Sequence, residues 1–314
     1  MPGALEGIRV LDLTRLLPGA VATQWLAEAG AEVIKVEQPL SKERDSYPVV
    51  FDQTNRGKKS VEIDLKGQKD RFLKLVSTAD VVIEGNRPGV MDRLGLGYEV
   101  LSAVNPRLIY VALTGYGSDG PYALLAGHDI NYLAMSGVLA TIGPAVVPNV
   151  PLADLVGGSM QAVIGILLAI QARHRTGMGQ RIDVSMTDGS TVLLPVPRAG
   201  GIDLLSGRFA CYHVYPAANG SHVGVGALET KFWANLCREL GCPELVERQF
   251  DADQGPLIAA LTEKFSAATA EEWFERIGAK DCCVTPVRIA AHGAAPQDDL
   301  IRAPRLGEHN EELL

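Results

Sequence analysis

The chain contains 314 residues, 47% of them hydrophobic and 21% charged, which is ordinary for a folded protein with one large or two smaller domains and excludes a disordered chain. Its net charge of −8 argues against a protein that wraps nucleic acid. The first residues, MPGALEGIRVLDL, lack a secretory-signal pattern, and the most apolar run, AVIGILLAIQA, is too short to span a membrane, so we expect a cytoplasmic protein.

Strand-like and helical segments alternate in the first part of the chain. The predicted strands are IRVLDL at 8–13, EVIKVE at 32–37, SVEIDL at 60–65, DVVIEG at 80–85 and LIYVALTGYG at 108–117. An Ala-rich helix lies between the first two, and QKDRFLKLVSTA forms a helix between the third and fourth. This alternation predicts a mostly parallel sheet with helices on both faces. LTRLLPG follows the first strand in place of GxGxxG, which disfavours a dinucleotide site.

Residues 154–176 read DLVGGSMQAVIGILLAIQARHRT and predict a long apolar helix. Asp154 precedes Gly157 and Gly158, and these small residues would let a ligand approach the helix start closely. Backbone N–H groups at a helix start favour negative charge. The next segment, GMGQRIDVSMTDGSTVLL, predicts a turn, a strand and a further helix.

The sequence pattern changes after Pro195. YHVYPAANGSHVGVGAL predicts a hairpin with its turn at Asn219 and Gly220. Helices are predicted at 230–240, 256–267 and 270–278, followed by a strand in CCVTPVRI. We therefore predict an α/β fold. A large Rossmann-like domain spans 1–195 and is completed by 291–314, and a smaller α+β domain spans 196–290.

The cysteines and histidines form no metal-binding pattern. The five cysteines include no CxxC pair, and the six histidines are scattered. We predict reduced thiols and no metal site, and we expect Cys282 and Cys283 to pack in a core strand.

Three short segments carry candidate catalytic side chains. His128 and Asp129 follow a turn in AGHDINYLAMSG, Asp154 precedes the apolar helix, and Glu229 follows the hairpin. Each has a structural alternative, because histidines after turns are often structural, Asp is a common N-cap, and Glu suits a first helical turn. The residues alone leave both interpretations open.

Several blocks in one order resemble the family III CoA-transferases, also called the CaiB/BaiF family. They are LEGIRVLDLTRLLPGA, LAEAGAEVIKVEQP, NRGKKSVEIDLK, VVIEGNRPGVMDRLGLGYE, NPRLIYVALTGYGSDGPY and PRLGEHNEELL. GHDINY resembles the signature of the α-methylacyl-CoA racemase branch. The resemblance implies that His128 and Asp154 are proton carriers and that Glu229 lies near the site and supports it.

These roles suit the residue types. A 2-methylacyl thioester has an acidified Cα–H, and inversion needs one group to remove the proton and another, on the opposite face, to return it. Imidazole has a near-neutral pKa. Asp154 needs its pKa raised by burial or by a neighbouring carboxylate, for which Glu229 is a candidate. The N–H groups at Gly157 and Gly158 are candidates for stabilising the enolate.

The resemblance also implies a set of coenzyme A contacts and no prosthetic group, with coenzyme A entering as part of the substrate. The contacts fall on Ile63, Asp64, Leu65, Lys66, Gly85, Asn86, Arg87, Arg93, Gly127, Asp129, Ile130, Asn131 and Tyr132. Gln38 stands where the family has a basic residue that contacts phosphate. Arg56, Lys58, Lys59, Arg87 and Arg93 are candidate phosphate ligands from the same domain, or else a solvated basic surface.

The family implies an interlocked homodimer whose active site lies between the large domain of one subunit and the small domain of the other. This chain is short between Asp154 and the hairpin and lacks a strand-and-loop stretch usual before PRLGEH, so we expect either tighter linkers or a trimmed small domain. Two other functions remain open. One is a CoA-transferase in which Asp154 is the nucleophile. The other is a non-catalytic protein that binds acyl-CoA.

Overall fold

A computed structural model describes residues 3–39, 48–143, 145–200, 202–288 and 302–314. The chain divides into two compact units. The large unit comprises the residues up to Leu193 together with the C-terminal segment that starts at Ala294, and the small unit comprises Leu194–Gly293.

The large unit contains a six-stranded parallel sheet, which confirms the predicted α/β fold. Its strands, in the spatial order β3-β2-β1-β4-β5-β6, are β1 (Arg9–Asp12), β2 (Glu32–Glu37), β3 (Lys59–Glu62), β4 (Val81–Glu84), β5 (Ile109–Thr114) and β6 (Arg181–Ser185). Its helices are α1 (Leu17–Glu28), α2 (Pro48–Thr54), α3 (Lys69–Val76), α4 (Val90–Arg93), α5 (Tyr98–Val104), α6 (Asp129–Ser136), α7 (Val138–Ile142), α8 (Gln161–Thr176), α9 (Met186–Ser190) and α14 (Asn310–Leu313).

The strand order creates a crevice at one edge of the sheet. The chain runs outward from β1 through β2 to β3, then returns to place β4 on the other side of β1. Loops after β1 and β4 therefore leave the sheet in opposite directions, and ligands of open α/β sheets bind where this reversal occurs. Leu11 and Ile34 face a core that includes Phe72 of α3, while Asp12, one residue further along β1, faces α1.

A buried ion pair lies beneath this crevice. Lys58 Nζ is 3.2 Å from Asp12 Oδ2, and both side chains are inaccessible to solvent. Lys58 also donates to the Thr23 hydroxyl at 2.7 Å and to the Asn55 side chain at 2.9 Å. The proposal from the sequence that Lys58 contacts phosphate is therefore wrong, because its ammonium group is fully buried.

The same carboxylate fixes the loop after β1. Asp12 Oδ1 accepts hydrogen bonds from the Thr14 N–H at 2.9 Å and the Thr14 hydroxyl at 2.6 Å. Burial alone would raise the pKa of Asp12, but the positive charges of Lys35 and Lys58 and the hydroxyl donors outweigh it and lower the pKa to about 2. Asp12 thus remains ionised and holds Thr14 at the mouth of the crevice.

The small unit contains an antiparallel sheet in the order β7-β8-β9. Its elements are β7 (Tyr212–Pro216), β8 (His222–Gly226), α10 (Pro195–Arg198), α11 (Thr230–Glu239), α12 (Gly255–Phe265), α13 (Ala270–Ile277) and β9 (Val284–Pro286). The predicted hairpin is confirmed, and Asn219 (φ 57°) and Gly220 (φ 72°) form its turn. The predicted core strand at Cys282 and Cys283 is wrong at Cys283, which is exposed with φ 51° and precedes β9; Cys282 is buried.

The apolar helix at 153–176 consists of two parts. Residues Ala153–Met160 are π-helical, and α8 continues to Thr176. Together they form the one helix in the described segments that is long and apolar enough to cross a membrane by length and composition, and the buried core helix of a soluble protein can meet the same criteria. The helix is therefore longer than the run AVIGILLAIQA, on which the prediction that no segment is long enough to span a membrane rests.

We expect Lys58→Met to lower the free energy of unfolding by about 3–5 kcal/mol, because it leaves the Asp12 carboxylate buried without the ammonium group that pairs with it directly. Urea unfolding followed by circular dichroism measures the change. The matched control is Lys59→Met, since Lys59 pairs with Glu32 and Glu312 at a partly exposed site, where we expect a loss below about 1 kcal/mol. Equal losses in the two variants would contradict a structural role for the buried pair.

Candidate active site

Three cavities of the large unit lie along the crevice between β1 and β4. The β2–β3 cavity, of about 340 Å³, is lined by residues that follow β2, β3 and β4, including Gln38, Lys66 and Asn86. The central cavity, of about 470 Å³, is lined by Asn86 and His128 among others. The His128–Asp154 cavity, of about 270 Å³, is lined by both of those side chains.

Shared lining residues show that the three cavities adjoin. Thr14 and Asn86 line both the β2–β3 cavity and the central cavity. Leu16 and His128 line both the central cavity and the His128–Asp154 cavity. The crevice is therefore one groove in which the central cavity lies between the other two, and His128 lies where the last two meet.

His128 precedes α6 in extended conformation (φ −132°) and is exposed. Its backbone N–H donates to the Asn131 side chain at 3.0 Å, which fixes the turn into the helix. The Tyr132 hydroxyl donates to the Gly127 carbonyl at 2.5 Å, and a Cβ on Gly127 would come within 2.7 Å of Tyr132. These residues of the GHDINY segment therefore hold His128 at the groove.

Asp154 lies at the start of the π-helical segment, half-buried. Its backbone N–H donates to Asp129 Oδ1 at 2.9 Å. Burial and then the negative charge of Asp129 raise the pKa of Asp154 to about 6, while His128 acts in the opposite direction. The neighbouring carboxylate that the sequence assigned to Glu229 is supplied within the large unit by Asp129.

His128 and Asp154 face the same cavity without bonding to each other. No hydrogen bond or ion pair joins the two side chains in the described part of the chain. An imidazole and a carboxyl group therefore line one cavity of about 270 Å³ without pairing with each other. A base and an acid placed in this way can remove a proton from a carbon and return one to it.

The expected role of Gly157 and Gly158, the donation of N–H groups to a bound ligand at the start of the apolar helix, is not supported by their positions. Gly157 and Gly158 are buried, and a Cβ on Gly157 would lie 2.2 Å from the Met186 carbonyl oxygen and 2.6 Å from the Ser190 hydroxyl. Their small size lets the π-helical segment pack against α9. Neither glycine lines any of the three cavities, so the structure does not bring the N–H groups at these two positions to the cavity that His128 and Asp154 line.

Most of the predicted coenzyme A contacts line the groove. Gln38, Asp64, Leu65 and Lys66 line the β2–β3 cavity, and Gly85, Arg87, Gly127 and Tyr132 line the central cavity, with Asn86 in both. Asp64 stabilises the turn that follows β3, because its carboxylate accepts a hydrogen bond from the Lys66 N–H at 3.0 Å.

Other predicted contacts are not brought to these cavities. The Ile63 side chain is fully buried in the core, so it cannot contact a ligand. Arg93 lies on α4, and Ile130 and Asn131 on α6, and none of the three lines the cavities described. Arg56 lies 3.9 Å from Asp52, and Lys59 pairs with Glu32 and Glu312. Glu229 belongs to the small unit, where it is exposed and precedes α11.

Sequence reasoning missed Arg15, which lines all three cavities. The signal was present, because Arg15 belongs to the LTRLLPG segment that follows the first strand, where phosphate-binding loops of doubly wound sheets occur. Arg15 is exposed and brings a guanidinium group, suited to binding phosphate, to all three cavities. No cluster of three or more His, Cys, Asp or Glu side chains that could hold a metal occurs among the described residues.

Known proteins resemble the whole chain. A family model described as CoA-transferase family III matches residues 5–308. The chain is 38% identical to the alpha-methylacyl-CoA racemase of Homo sapiens, over 90% of this chain and 78% of that protein. It is 36% identical to the acetyl-CoA:oxalate CoA-transferase of Acetobacter aceti, over 93% of this chain and 82% of that protein. The crystal structure of Rv3272 from M. tuberculosis matches with a TM-score of 0.81 and 29% identity, over 100% of this chain and 99% of that one.

The family model covers nearly the whole chain, and both the sequence relatives and the solved structure extend over both of its units. The chain therefore belongs to CoA-transferase family III.

Proposed function

We propose that this protein epimerises the α-carbon of 2-methylacyl-CoA thioesters by two-base proton transfer through an enolate. The observation that carries the proposal is that an imidazole and a carboxyl group of raised pKa line one cavity without bonding to each other. Similarity to the human alpha-methylacyl-CoA racemase supports it. The substrate is then an acyl-CoA, the reaction needs no prosthetic group, and we expect it in the cytoplasm.

In this mechanism His128 and Asp154 flank the α-carbon of the thioester. One of them takes the Cα proton, the electron pair of the broken C–H bond moves into the enolate, and the other gives a proton to the opposite face. In the reverse direction the two groups exchange roles. The catalytic pair must therefore carry one proton in total at the start of either reaction.

The enolate oxygen requires hydrogen-bond donors placed in advance. The first N–H groups of a helix have no partner within that helix. The Asp129 N–H group opens α6 directly after His128, and we assign it this task in place of Gly157 and Gly158. Arg15, Lys66 and Arg87 provide positive charge along the groove for the phosphates of coenzyme A.

A CoA-transferase is the second candidate, supported by similarity to the oxalate enzyme of Acetobacter aceti. Asp154 would then attack the thioester carbonyl and release the coenzyme A thiolate, forming an anhydride. That reaction has no need of an imidazole, so His128 in the cavity of Asp154 favours epimerisation. The exposed Glu229 remains a proposed supporting residue in either case.

Incubating one epimer of a 2-methylacyl-CoA with the protein in D₂O tests the function. We expect deuterium at Cα and loss of stereochemical purity, measured by NMR and chiral chromatography. We expect His128→Ala to abolish exchange from at least one epimer, and His174→Ala, at an exposed histidine of α8, to leave it unchanged. Transfer of coenzyme A to an added free acid, with Cα untouched, would instead establish the transferase.

The pH dependence of kcat/KM tests the coupling between the two aspartates. Activity towards the epimer whose proton Asp154 removes should fall as the pH decreases through about 6, because Asp154 then becomes protonated and can no longer act as the base. Asp129→Asn keeps an oxygen to accept the Asp154 N–H but removes the negative charge that raises the pKa of Asp154. We expect the acid limb of the pH profile, in which kcat/KM falls with decreasing pH, to move to lower pH.

The matched control for this variant is Asp70→Asn, which removes an exposed aspartate from the first turn of α3, another helix of eight residues. Its acid limb should match that of the unchanged protein. An unshifted limb in Asp129→Asn would mean that the charge of Asp129 does not act on the catalytic group.

The expected homodimer remains a prediction, and an apolar stripe on the helix at 153–176 supports it. Met160, Ile164, Leu167 and Leu168 are exposed at the spacing of one helix face. We expect light scattering to give a dimer and Leu168→Lys to give a monomer. Leu124→Lys, at an equally exposed leucine, should leave the dimer intact. A monomeric unchanged protein would contradict the prediction.

A further inference from the structure

We propose that the acyl chain of the substrate lies in the His128–Asp154 cavity, between the start of α1 and the apolar face of α2, and that these two elements set the chain-length preference. The inference rests on the proposed function, because it takes the ligand to be an acyl-CoA thioester. It assigns binding roles to Leu16 and Leu17 of the LTRLLPG segment and to Val50 and Phe51 of α2.

The order of the cavities gives the direction of the substrate. The β2–β3 cavity, whose lining includes Gln38 and Lys66, lies at one end of the groove, the central cavity follows, and His128 lies between the central cavity and the third one. A thioester at His128 whose coenzyme A portion occupies the first two cavities must continue on the other side of His128. There it enters the cavity that Asp154 also lines.

The lining of that cavity suits a hydrocarbon. Leu16, Leu17 and Ala20 form one side, and Val50 and Phe51 form the other. Phe51 is buried, whereas Leu16 and Val50 are exposed, so the ring forms part of the wall and the two aliphatic side chains lie at the opening. Burying methylene groups among such side chains is favourable.

Arg15, His128 and Asp154 also line the cavity, outside α1 and α2, and the two polar lining residues at α2, Thr54 and Asn55, already have partners. The Thr54 hydroxyl donates to the Val50 carbonyl at 2.8 Å. The Asn55 side chain donates to the Phe51 carbonyl at 2.8 Å and accepts from Lys58 at 2.9 Å. The ion pair beneath the crevice therefore draws the Asn55 amide away from the cavity, and the surface left for the ligand between α1 and α2 is apolar.

The volume of about 270 Å³ limits what the cavity can enclose, since sites for drug-sized ligands measure about 300–1,000 Å³. A short or medium chain is enclosed completely, and a longer one extends past Leu16 and Val50 into solvent. Affinity should rise with each added methylene and then level off. Each enclosed methylene corresponds to about 0.8 kcal/mol, which is about fourfold in Kd.

Titration calorimetry with coenzyme A and with butanoyl-, hexanoyl-, octanoyl- and dodecanoyl-CoA tests the inference. For the unchanged protein we expect Kd to fall about fourfold per methylene over the shorter chains and to level off at the longer ones. A Kd that does not depend on chain length would overturn the proposal.

Two variants locate the chain. Val50→Asp should weaken octanoyl-CoA binding at least tenfold and leave the affinity for coenzyme A unchanged. Leu16→Ser should also weaken octanoyl-CoA, and Ser is favoured at the helix N-cap position that Leu16 occupies, so the fold is retained. The matched control is Val100→Asp, because Val100 is the third residue of the seven-residue α5 as Val50 is of α2, and both are 41% exposed.

Equal Kd values for octanoyl-CoA in Val50→Asp and Val100→Asp would overturn the inference, since the chain would then lie elsewhere. The binding test is independent of catalysis. If no deuterium exchange occurs but Val50→Asp still selectively weakens octanoyl-CoA, the proposed reaction fails and the acyl site stands.

Discussion

The hydrogen bond from the Asp154 N–H to the Asp129 carboxylate is the contact on which the candidate site depends. It joins the start of the π-helical segment to the first residue of α6, next to His128. The same carboxylate helps to raise the pKa of Asp154, so one side chain both positions Asp154 and adjusts its acidity. An aspartate in the first turn of either helix without this hydrogen bond would neither position Asp154 nor raise its pKa.

The sheet supplies the frame for this contact. Because the strand order reverses at β1, the loops after β1 and β4 separate and leave one continuous groove. The ionised Asp12 fixes the first of these loops through Thr14, which keeps Arg15 and Leu16 at the groove. One short segment thus supplies both a charged side chain, Arg15, and an apolar side chain, Leu16, to the groove.

Much of the fold could be predicted from local patterns. β-Branched runs between turn residues identified the parallel strands, and Asn219 and Gly220 identified the hairpin, because their positive φ angles are a local requirement. Lys58 could not be assigned in this way, since its burial against Asp12 depends on two segments 46 residues apart. The role of Gly157 could not be predicted for the same reason. A glycine near a helix start suggests that a ligand approaches there, but in the fold the atoms that pack against Gly157 belong to α9. Local patterns made His128 and Asp154 candidates, but only the resemblance favoured a catalytic role over a structural one, and the cavity they share is a tertiary feature.

The raised pKa of Asp154 also affects the stability of the fold. Between pH of about 4 and about 6 the folded chain holds a proton at this carboxyl group that the unfolded chain releases. Folding therefore takes up a proton between pH of about 4 and about 6. The stabilisation linked to this proton is complete below pH of about 4 and is lost as the pH rises through about 6. At neutral pH the protein thus tolerates a half-buried negative charge that weakens its own fold, which is a common compromise where a side chain is kept for chemistry.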